Sequence, residues 1–486
     1  MPNQKQATLA WYYYVLLASE SFLLAIAILY LVISRGCKKT RKEVFYNKDK
    51  IIIAILASIL LTIGLTYLEK ELVFLSTNEK MQPTMDNNSS VSYYAKEEIN
   101  TDSTIQNKSY ESSNSDENVI LVDGENHVEI SNTTLTKSGD SDGGDTSSFY
   151  GNNAALLAKG GANVTIKDTT IETNATGANG VFSFGGSATT NNTSNDGTTI
   201  NISDSTITTK KNNSGGIMAT GGGIIKASNL TVHTSGVSSA AIRSDRGGGT
   251  ITVDGGTYET ADAGSPTIYS TADISVSHAT LCATAAEGVV IEGKNSVSLD
   301  DVTLTDTNQK LNGKSTTYKN IFLYQSMSGD ASNGTSSFTA KNSTITTNKG
   351  DTFYVTNTTA KIVLENNTII NQDTTGNFLR IQKDSWGNSG SNGGNVVLEM
   401  TKQKVNGNIV VDSISTLEMS LKDSSSFEGS INQENQAKSI QLSLDKTSKI
   451  KLTADSYVTS FTNEDTTNQN IDFNGYHLYV NGKAIS

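Results

Sequence analysis

The sequence predicts an all-β fold in which short strands wind into a solenoid of stacked repeats, preceded by two transmembrane helices. Nine times between residues 134 and 368, two alternating apolar positions are followed a few residues later by a threonine and an adjoining apolar residue. Near the start of the chain, two long apolar runs flank a basic segment. A period of this length indicates a repeat architecture, because each unit can bury its apolar side only against its neighbours.

The repeat is short and keeps a regular phase. Subtracting successive threonine positions gives 23 to 26 residues as the base period, with 36 or 41 residues where insertions occur. The nine positions are Thr134, Thr170, Thr206, Thr231, Thr257, Thr280, Thr303, Thr344 and Thr368.

Residues 251–260, with the sequence ITVDGGTYET, show what one repeat contains. Ile251 and Val253 alternate as strand positions, residues 254–256 form a turn in which glycine permits positive φ, and residues 257–260 form a second strand. β-branched residues dominate the repeats, and no apolar spacing of helical period occurs in them. With neighbouring strands about 4.8 Å apart, equivalent positions are expected to form files of like side chains around a narrow core.

The repeat region resembles the right-handed parallel β-helix proteins, and among them the adhesin-like bacterial surface proteins rather than the pectin-degrading branch. The likeness lies in the segments ITVDGGTYET, KASNLTVHT, FTAKNSTITT and VLENNTIINQ within residues 118–375. It implies a β-helix over residues 118–393, closed by C-terminal coils and a cap over residues 394–486. It implies the fold rather than an activity, because β-helices host lyases, hydrolases and passive binding rods alike.

The N-terminal region is predicted to anchor the protein in the cell membrane. Residues 11–34 and 51–68 are apolar runs of about the length that crosses a bilayer core. Residues 35–50 between them hold seven Lys or Arg against two acidic residues, so this loop is expected in the cytoplasm, with residues 1–10 and the solenoid outside the cell. Residues 69–117 are polar and are expected to form a flexible tether. In the alternative, only the second run is a signal anchor, which leaves the solenoid outside as well.

The charge balance restricts the partners of the solenoid. The net charge is −12, and because residues 1–50 carry a balance of +5, the rest of the chain carries −17. Contacts with phosphate need a basic face, so this acidic balance argues against nucleic acid and anionic lipid as partners of this region. Cations and neutral glycans, on host or envelope surfaces, are the expected partners.

One acidic segment suggests a calcium site. Asp140, Asp142 and Asp145 lie among glycines in the segment GDSDGGDTSS, and oxygen-rich loops are what calcium prefers. These three residues are the candidate metal ligands, with calcium as the possible cofactor. The spacing matches neither a full EF-hand loop nor the calcium-binding nonapeptide, and a plain acidic loop is the alternative.

Four insertions lengthen individual repeats and are expected to form a recognition surface. They carry aromatic residues whose faces can stack on sugars, and Trp386, Tyr318 and Tyr324 are the candidate ligand-binding residues. Trp386, flanked by glycine and polar residues, is expected to be exposed. The alternative is that these aromatics cover gaps in the core beneath their own loops. The insertions are residues 139–153, 176–197, 308–334 and 374–393.

Two segments offer residues for catalysis on polysaccharides. The pair Asp300-Asp301, with Arg380 and Lys383, is a faint echo of the pectin-hydrolase pattern, although a Gly-His-Gly segment is missing from the sequence. Residues 243–246, Arg-Ser-Asp-Arg, could supply the base and the carboxylate-binding group of a lyase. Turn formation and solvated charge explain the same residues.

The sequence therefore predicts a membrane-anchored, extracellular and non-catalytic β-helix that acts in adhesion or in carbohydrate or matrix binding. A polysaccharide lyase or glycoside hydrolase is the first alternative. A purely structural spacer of the cell envelope is the second.

Overall fold

The structure, a computed structural model, describes residues 91–141, 144–189 and 195–485. The predicted transmembrane helices, residues 11–34 and 51–68, and the basic loop between them lie outside these ranges. Among the residues that the structure does describe, no helix combines the length and the apolar character needed to cross a membrane.

The described residues form 41 strands and one short helix. Those of the N-terminal repeats are β1 Ala95–Ile99, β2 Ser103–Gln106, β3 Ser109–Ser112, β4 Asn118–Asp123, β5 His127–Ser131, β6 Thr134–Lys137, α1 Gly144–Tyr150, β7 Leu156–Lys159, β8 Asn163–Lys167, β9 Thr170–Thr173, β10 Val181–Phe184, β11 Thr199–Ser203, β12 Thr206–Thr209, β13 Ile217–Thr220 and β14 Gly223–Thr234.

The middle repeats continue the same succession of short strands. They contain β15 Ile242–Ser244, β16 Gly249–Thr260, β17 Ile268–Ser270, β18 Asp273–Ser277, β19 Thr280–Ala283, β20 Val289–Glu292, β21 Ser296–Asp300, β22 Thr303–Asp306, β23 Lys319–Tyr324, β24 Thr335–Lys341, β25 Thr344–Thr347, β26 Asp351–Thr356, β27 Thr358–Glu365 and β28 Thr368–Asn371.

The C-terminal coils also consist of strands. They contain β29 Leu379–Ile381, β30 Gly394–Thr401, β31 Lys404–Asn406, β32 Ile409–Val411, β33 Thr416–Lys422, β34 Ser426–Gly429, β35 Ser439–Leu444, β36 Lys449–Leu452, β37 Ser456–Val458, β38 Ser460–Asn463, β39 Ile471–Asp472, β40 Leu478–Val480 and β41 Lys483–Ile485.

The strands stack in parallel, one repeat on the next, as in a parallel β-helix. The first sheet has twelve strands in the order β1-β4-β7-β10-β13-β15-β17-β20-β23-β26-β29-β32, which at about 4.8 Å per strand span about 50 Å. A second sheet has 22 strands, from β2 to β38, and two smaller sheets are formed by β31-β34-β36-β39 and by β37-β40-β41. At the C-terminal end, β41 pairs antiparallel with β40.

The nine threonines lie in one continuous file, which confirms the predicted register. Each pairs with its equivalent in the next repeat, from Thr134 with Thr170 to Thr344 with Thr368. The threonines face outwards, and the residue after each is fully buried, as at Leu135 and Ile345, except for the last, Ile369, which is partly buried. Because strand side chains alternate between faces, this phase places the whole apolar set in one core along the solenoid.

A left-handed residue precedes every threonine of this file by two positions. Its φ lies between 48° and 76° in all nine repeats, yet the residue is glycine only at Gly255. Elsewhere the turn uses Asn, Asp or histidine, and Asn and Asp are the side chains that tolerate this conformation best. Asp301 is one of them, with φ 55°, so its place in the sequence follows from the turn.

The solenoid begins earlier than the sequence predicts. Residues 95–112, assigned to the flexible tether, form β1, β2 and β3, which pair in parallel with β4, β5 and β6. Among their apolar residues, Ile99 and Ile105 are buried, one in β1 and one in β2. A strand with one buried apolar residue shows no alternation in its sequence, so the first repeat could not be recognised by period.

A second file of threonines closes the core at the other end of the same strands. The hydroxyls of Thr173, Thr209, Thr234 and Thr260 each donate to the main-chain oxygen five residues later, at 2.5–2.8 Å. The file continues through Ala283 to Asp306 and Thr347.

Asp306 places a carboxylate where four other repeats place a hydroxyl donor. The side chain is fully buried, its Oδ1 accepts from the Asn348 amide at 3.2 Å, and its Oδ2 receives no hydrogen bond from a described residue. The side-chain oxygens of the buried Asn308 and Asn320 also accept no hydrogen bond from a described residue. Burial raises the pKa of Asp306 to about 8.

Candidate functional site

The outer face of the first sheet carries the residues of the candidate site. The central outward position of each strand forms a file across the sheet. From β4 to β13 its members are apolar, and Arg243 and Tyr269 follow in the middle. Val290, Phe322 and Tyr354 then continue it. Because neighbouring strands stack directly, residues 20 to 36 positions apart in sequence become adjacent on this face.

The insertion at residues 139–153 covers the N-terminal part of this face. Its helix α1 packs Phe149 against Leu157, Phe182 and Met218, and the Thr220 hydroxyl donates to the Phe149 carbonyl oxygen at 2.7 Å. Phe149 is 7% exposed. The insertion is therefore held as a fixed wall on the sheet.

A cleft of about 390 Å³ lies between this wall and an aromatic cluster further along the sheet. Phe149 and the start of α1 line one end, and Phe322, Tyr324 and Trp386 line the other. Arg243, Tyr269 and Val290, from three successive strands, contribute to the floor. Asn312, Ser315 and Asp330 come from the insertion at residues 308–334, which reaches back towards earlier repeats.

Three mutually packed rings make the aromatic end of the cleft. The Phe322 and Tyr324 rings stack with centroids 4.4 Å apart, and the Trp386 ring lies 5.2 Å from Phe322 and 5.3 Å from Tyr324. Tyr354 packs its edge against Phe322 at 5.7 Å. Tilted and offset contacts of this kind stabilise aromatic clusters, so the rings are held in place before any ligand arrives.

Arg243 and Arg246 are each paired with a carboxylate at the cleft. The Arg243 guanidinium donates to Asp245 at 2.9 Å, and the Arg246 guanidinium donates to Asp330 at 2.6 and 3.1 Å. Asp245 is 5% exposed. Burial raises the pKa of Asp245 to about 6, although the neighbouring Arg243 charge lowers it. The Arg246 guanidinium also lies 4.1 Å from the Phe149 ring centroid, which joins the insertion at 308–334 to the opposite wall.

Glu292 lies beneath the aromatic end and accepts several hydrogen bonds. The Tyr269 and Tyr324 hydroxyls donate to its Oε2 at 2.6 and 2.9 Å, and the Ser326 hydroxyl donates to its Oε1. Burial raises the pKa of Glu292 and holds the pKa values of Tyr269 and Tyr324 well above that of a free phenol. Glu292 therefore orients two rings of the cleft.

Glu287 is a third buried carboxylate, and it lines the cleft itself. It is 4% exposed, and its nearest charged partner is the Lys319 ammonium, 3.7 Å away. Lys319 is fully buried and donates to the Ser315 hydroxyl and the Thr317 carbonyl oxygen at 2.8 and 2.9 Å. Burial lowers the pKa of Lys319, and the Glu287 charge opposes that shift.

The charges around the cleft are predominantly negative. The cations are Arg243, Arg246 and Lys319, three against five carboxylates. The five carboxylates are Asp145, Asp245, Glu287, Glu292 and Asp330. A cleft of this sign disfavours anionic ligands. A second cavity, of about 270 Å³, lies along the glycine-rich turn at residues 247–249 and shares Asp330 with the first.

The structure brings two of the three predicted ligand-binding residues together. Trp386 and Tyr324 line the cleft, whereas Tyr318 lies outside its lining, with its hydroxyl on the Gln309 carbonyl oxygen and the Lys349 ammonium 3.7 Å from its ring. The expectation that Trp386 is exposed is wrong. It is half-buried, because its ring packs against Phe322 and Tyr324.

The three candidate calcium ligands have separate surroundings. Asp140 accepts from the Thr176 amide at 2.7 Å and from the Lys211 ammonium at 3.0 Å, and these contacts lower its pKa. Asp145 lies in the first turn of α1 and lines the cleft. Asp142 lies outside the described residues. Within the described part of the chain, no group of three His, Cys, Asp or Glu residues is placed to hold a metal ion.

The two catalytic candidates from the sequence differ in position. Asp300 and Asp301 are exposed at the turn before the outer threonine file, and Arg380 pairs with the buried Asp351 at 2.5 Å on the first sheet. Arg243 and Asp245 instead lie in the cleft.

Sequence reasoning missed Glu287, Glu292, Lys319 and Asp330. A signal was present at Glu292, because it ends a strand whose other residues are apolar. Glu287 and Lys319 stand beside small or polar residues and carried no such signal. Asp330 carried no such signal within its polar insertion.

Comparison of the chain with models of known protein families, with characterised proteins and with solved structures finds no match. The function of the cleft is therefore argued from its own chemistry.

Proposed function

We propose that this chain is an adhesin-like, right-handed parallel β-helix that binds glycans in the cleft on its first sheet, displayed outside a bacterial cell by the N-terminal spans. The aromatic end of the cleft carries this proposal. Tyr324 and Trp386, backed by the buried Phe322, present ring surfaces beside buried carboxylates, and a sugar offers both an apolar face for rings and hydroxyls for carboxylates.

The size and rigidity of the cleft support this proposal. Its volume of about 390 Å³ falls within the range of small-molecule sites, roughly 300–1,000 Å³. Its walls are fixed by ring packing and by the Arg246–Asp330 ion pair, so a ligand would order few side chains on binding. The second cavity beyond Asp330 offers room for a chain that extends past the first.

The test is binding of the full-length chain to an array of bacterial and host glycans. Trp386→Ala is expected to weaken binding at least tenfold, because it removes a ring from the cleft wall. Tyr476→Ala, which removes a ring that is 40% exposed at the C-terminal end, is the matched control and should bind as the unaltered chain does. Equal binding by both variants, or no binding to any glycan, would refute the proposal and favour the envelope spacer.

Glycoside hydrolysis is a second candidate, favoured by Asp245. This carboxyl lies in the cleft, and burial raises its pKa to about 6, close to the value that suits a general acid. New reducing ends released from a bound glycan, and lost with Asp245→Asn while binding is retained, would establish it.

A further inference from the structure

The ligand class of the cleft can be inferred from Glu287, on the premise that the cleft binds glycans as proposed above. Three carboxylates of the site are at least nine-tenths buried: Asp245, Glu287 and Glu292. Asp245 accepts from the Arg243 guanidinium and the Arg246 amide, and Glu292 accepts from tyrosine and serine hydroxyls. No described residue donates a hydrogen bond to the carboxylate of Glu287.

A carboxylate that is largely withdrawn from water and has only an ion pair at 3.7 Å is costly unless the contents of the cleft supply hydrogen-bond donors. The Lys319 ammonium at 3.7 Å is too distant for a hydrogen bond, and it is already held by Ser315 and Thr317. Since Glu287 lines the cleft, its free acceptor positions are open to whatever occupies the cleft.

We propose that Glu287 is the specificity-determining residue of the site and that it accepts hydrogen bonds from two neighbouring hydroxyls of an uncharged sugar. A carboxylate offers two oxygens, and a pair of adjacent hydroxyls on one sugar ring can donate to both. These hydrogen bonds are charge-assisted and are correspondingly strong.

The surrounding charges decide against other ligand classes. The cleft as a whole is negative, but an amino sugar that donates to Glu287 would place its ammonium beside Lys319, and the repulsion between these two neighbouring charges opposes that placement. A uronate would bring its carboxylate towards Glu287 and Asp245, which is unfavourable for the same reason. A neutral sugar meets neither penalty.

The aromatic rings beside Lys319 indicate where the apolar face of the same sugar would lie. The Lys319 ammonium lies 4.4 Å from the centroid of the Phe322 ring and 5.9 Å from that of Trp386, so Glu287 and both rings surround one ammonium. A single sugar ring can therefore donate to Glu287 through its hydroxyl edge and stack on an aromatic ring through its face.

The test is isothermal titration of the full-length chain with neutral cello-, manno- and malto-oligosaccharides, with oligogalacturonate and with chitosan oligomers. At least one neutral probe should bind, and both charged probes should bind at least tenfold more weakly. Glu287→Gln, which exchanges one acceptor oxygen for a donor, should weaken binding of the neutral probe at least tenfold. Glu259→Gln, on an exposed face of β16, is the matched control and should leave it unchanged.

Glu287→Asp keeps the charge beside Lys319 but withdraws the carboxylate by one methylene, so it should weaken binding even if Glu287→Gln fails to fold. Tighter binding of oligogalacturonate or chitosan, or unchanged binding by the folded variants, would overturn this inference while leaving glycan binding intact. Failure of every probe, together with failure of the glycan array, would instead refute the proposed function.

Discussion

The carboxyl of Asp306 should make the solenoid less stable at neutral pH than in acid. In the folded chain its pKa is raised from 3.8 to about 8, and burial is the first cause. Between pH 3.8 and about 8, the folded chain therefore keeps a proton on this carboxyl that the unfolded chain has released. A raised pKa gives stability that is complete below about pH 4 and is lost as the pH rises through about 8.

The magnitude follows from the difference between pH 7 and the unfolded pKa. At about 1.4 kcal/mol per pH unit, the roughly three units between 3.8 and 7 correspond to about 4 kcal/mol. Asp306→Thr removes this dependence and restores the hydroxyl that Thr209, Thr234 and Thr260 supply in their own repeats. The variant is therefore expected to be more stable than the unaltered chain at pH 7, and the difference should shrink in acid.

Chemical denaturation at pH 4, 5.5, 7 and 8.5, followed by circular dichroism, measures the effect. The quantity compared is the free energy of unfolding of the variant minus that of the unaltered chain, so titration of all other groups cancels. Asp300→Thr, an exchange at an exposed position of β21, is the control and should show no trend. If the difference for Asp306→Thr stays constant between pH 4 and 7, the folded carboxyl is not protonated and the reasoning fails.

Four further substitutions test the packing. Tyr258→Phe removes a buried hydroxyl that no described residue pairs with, so the free energy of unfolding should rise by about 1 kcal/mol, and a decrease would show a hidden partner. Phe338→Ala should lower it by about 3–5 kcal/mol in the same denaturation assay, because the ring is fully buried between repeats, and a loss below 1 kcal/mol would contradict that packing. Gly256→Ala should destabilise the chain, because its new Cβ would lie 2.3 Å from the Leu230 carbonyl oxygen. Gly255→Asn should be tolerated, because the equivalent residue of the preceding repeat is Asn229, which has the same left-handed conformation. Equal thermal stability of these two variants would refute the close approach at Gly256.

The insertions link the fold to the proposed function. Three of the four lie around the same cleft and contribute Phe149, Asp330 and Trp386 to it, although they are far apart in the chain. The strands of the solenoid form the floor of the cleft, and the insertions form its walls. Variation in such insertions could change the ligand without disturbing the files of the core.

The candidate site was predictable only in its parts. The aromatic residues of the insertions pointed to Trp386 and Tyr324, and the charged segment at residues 243–246 identified Arg243 and Asp245 as unusual. That these groups share one cleft could not be predicted, because insertion lengths do not specify the direction in which a loop folds back. Tyr318, equally aromatic and in the same insertion as Tyr324, lies outside the cleft lining for this reason.

The sequence by itself determined the repeat and its register. A period-two apolar pattern and a threonine at a fixed phase can be satisfied in only one way, with like residues stacked on like, because a shift by one residue would expose the core. The tertiary structure alone decided that residues 95–112 join the solenoid and that Glu287, Asp306 and Lys319 are buried. Burial of a charged side chain depends on what neighbouring repeats and loops place above it, and no local pattern in the chain records that.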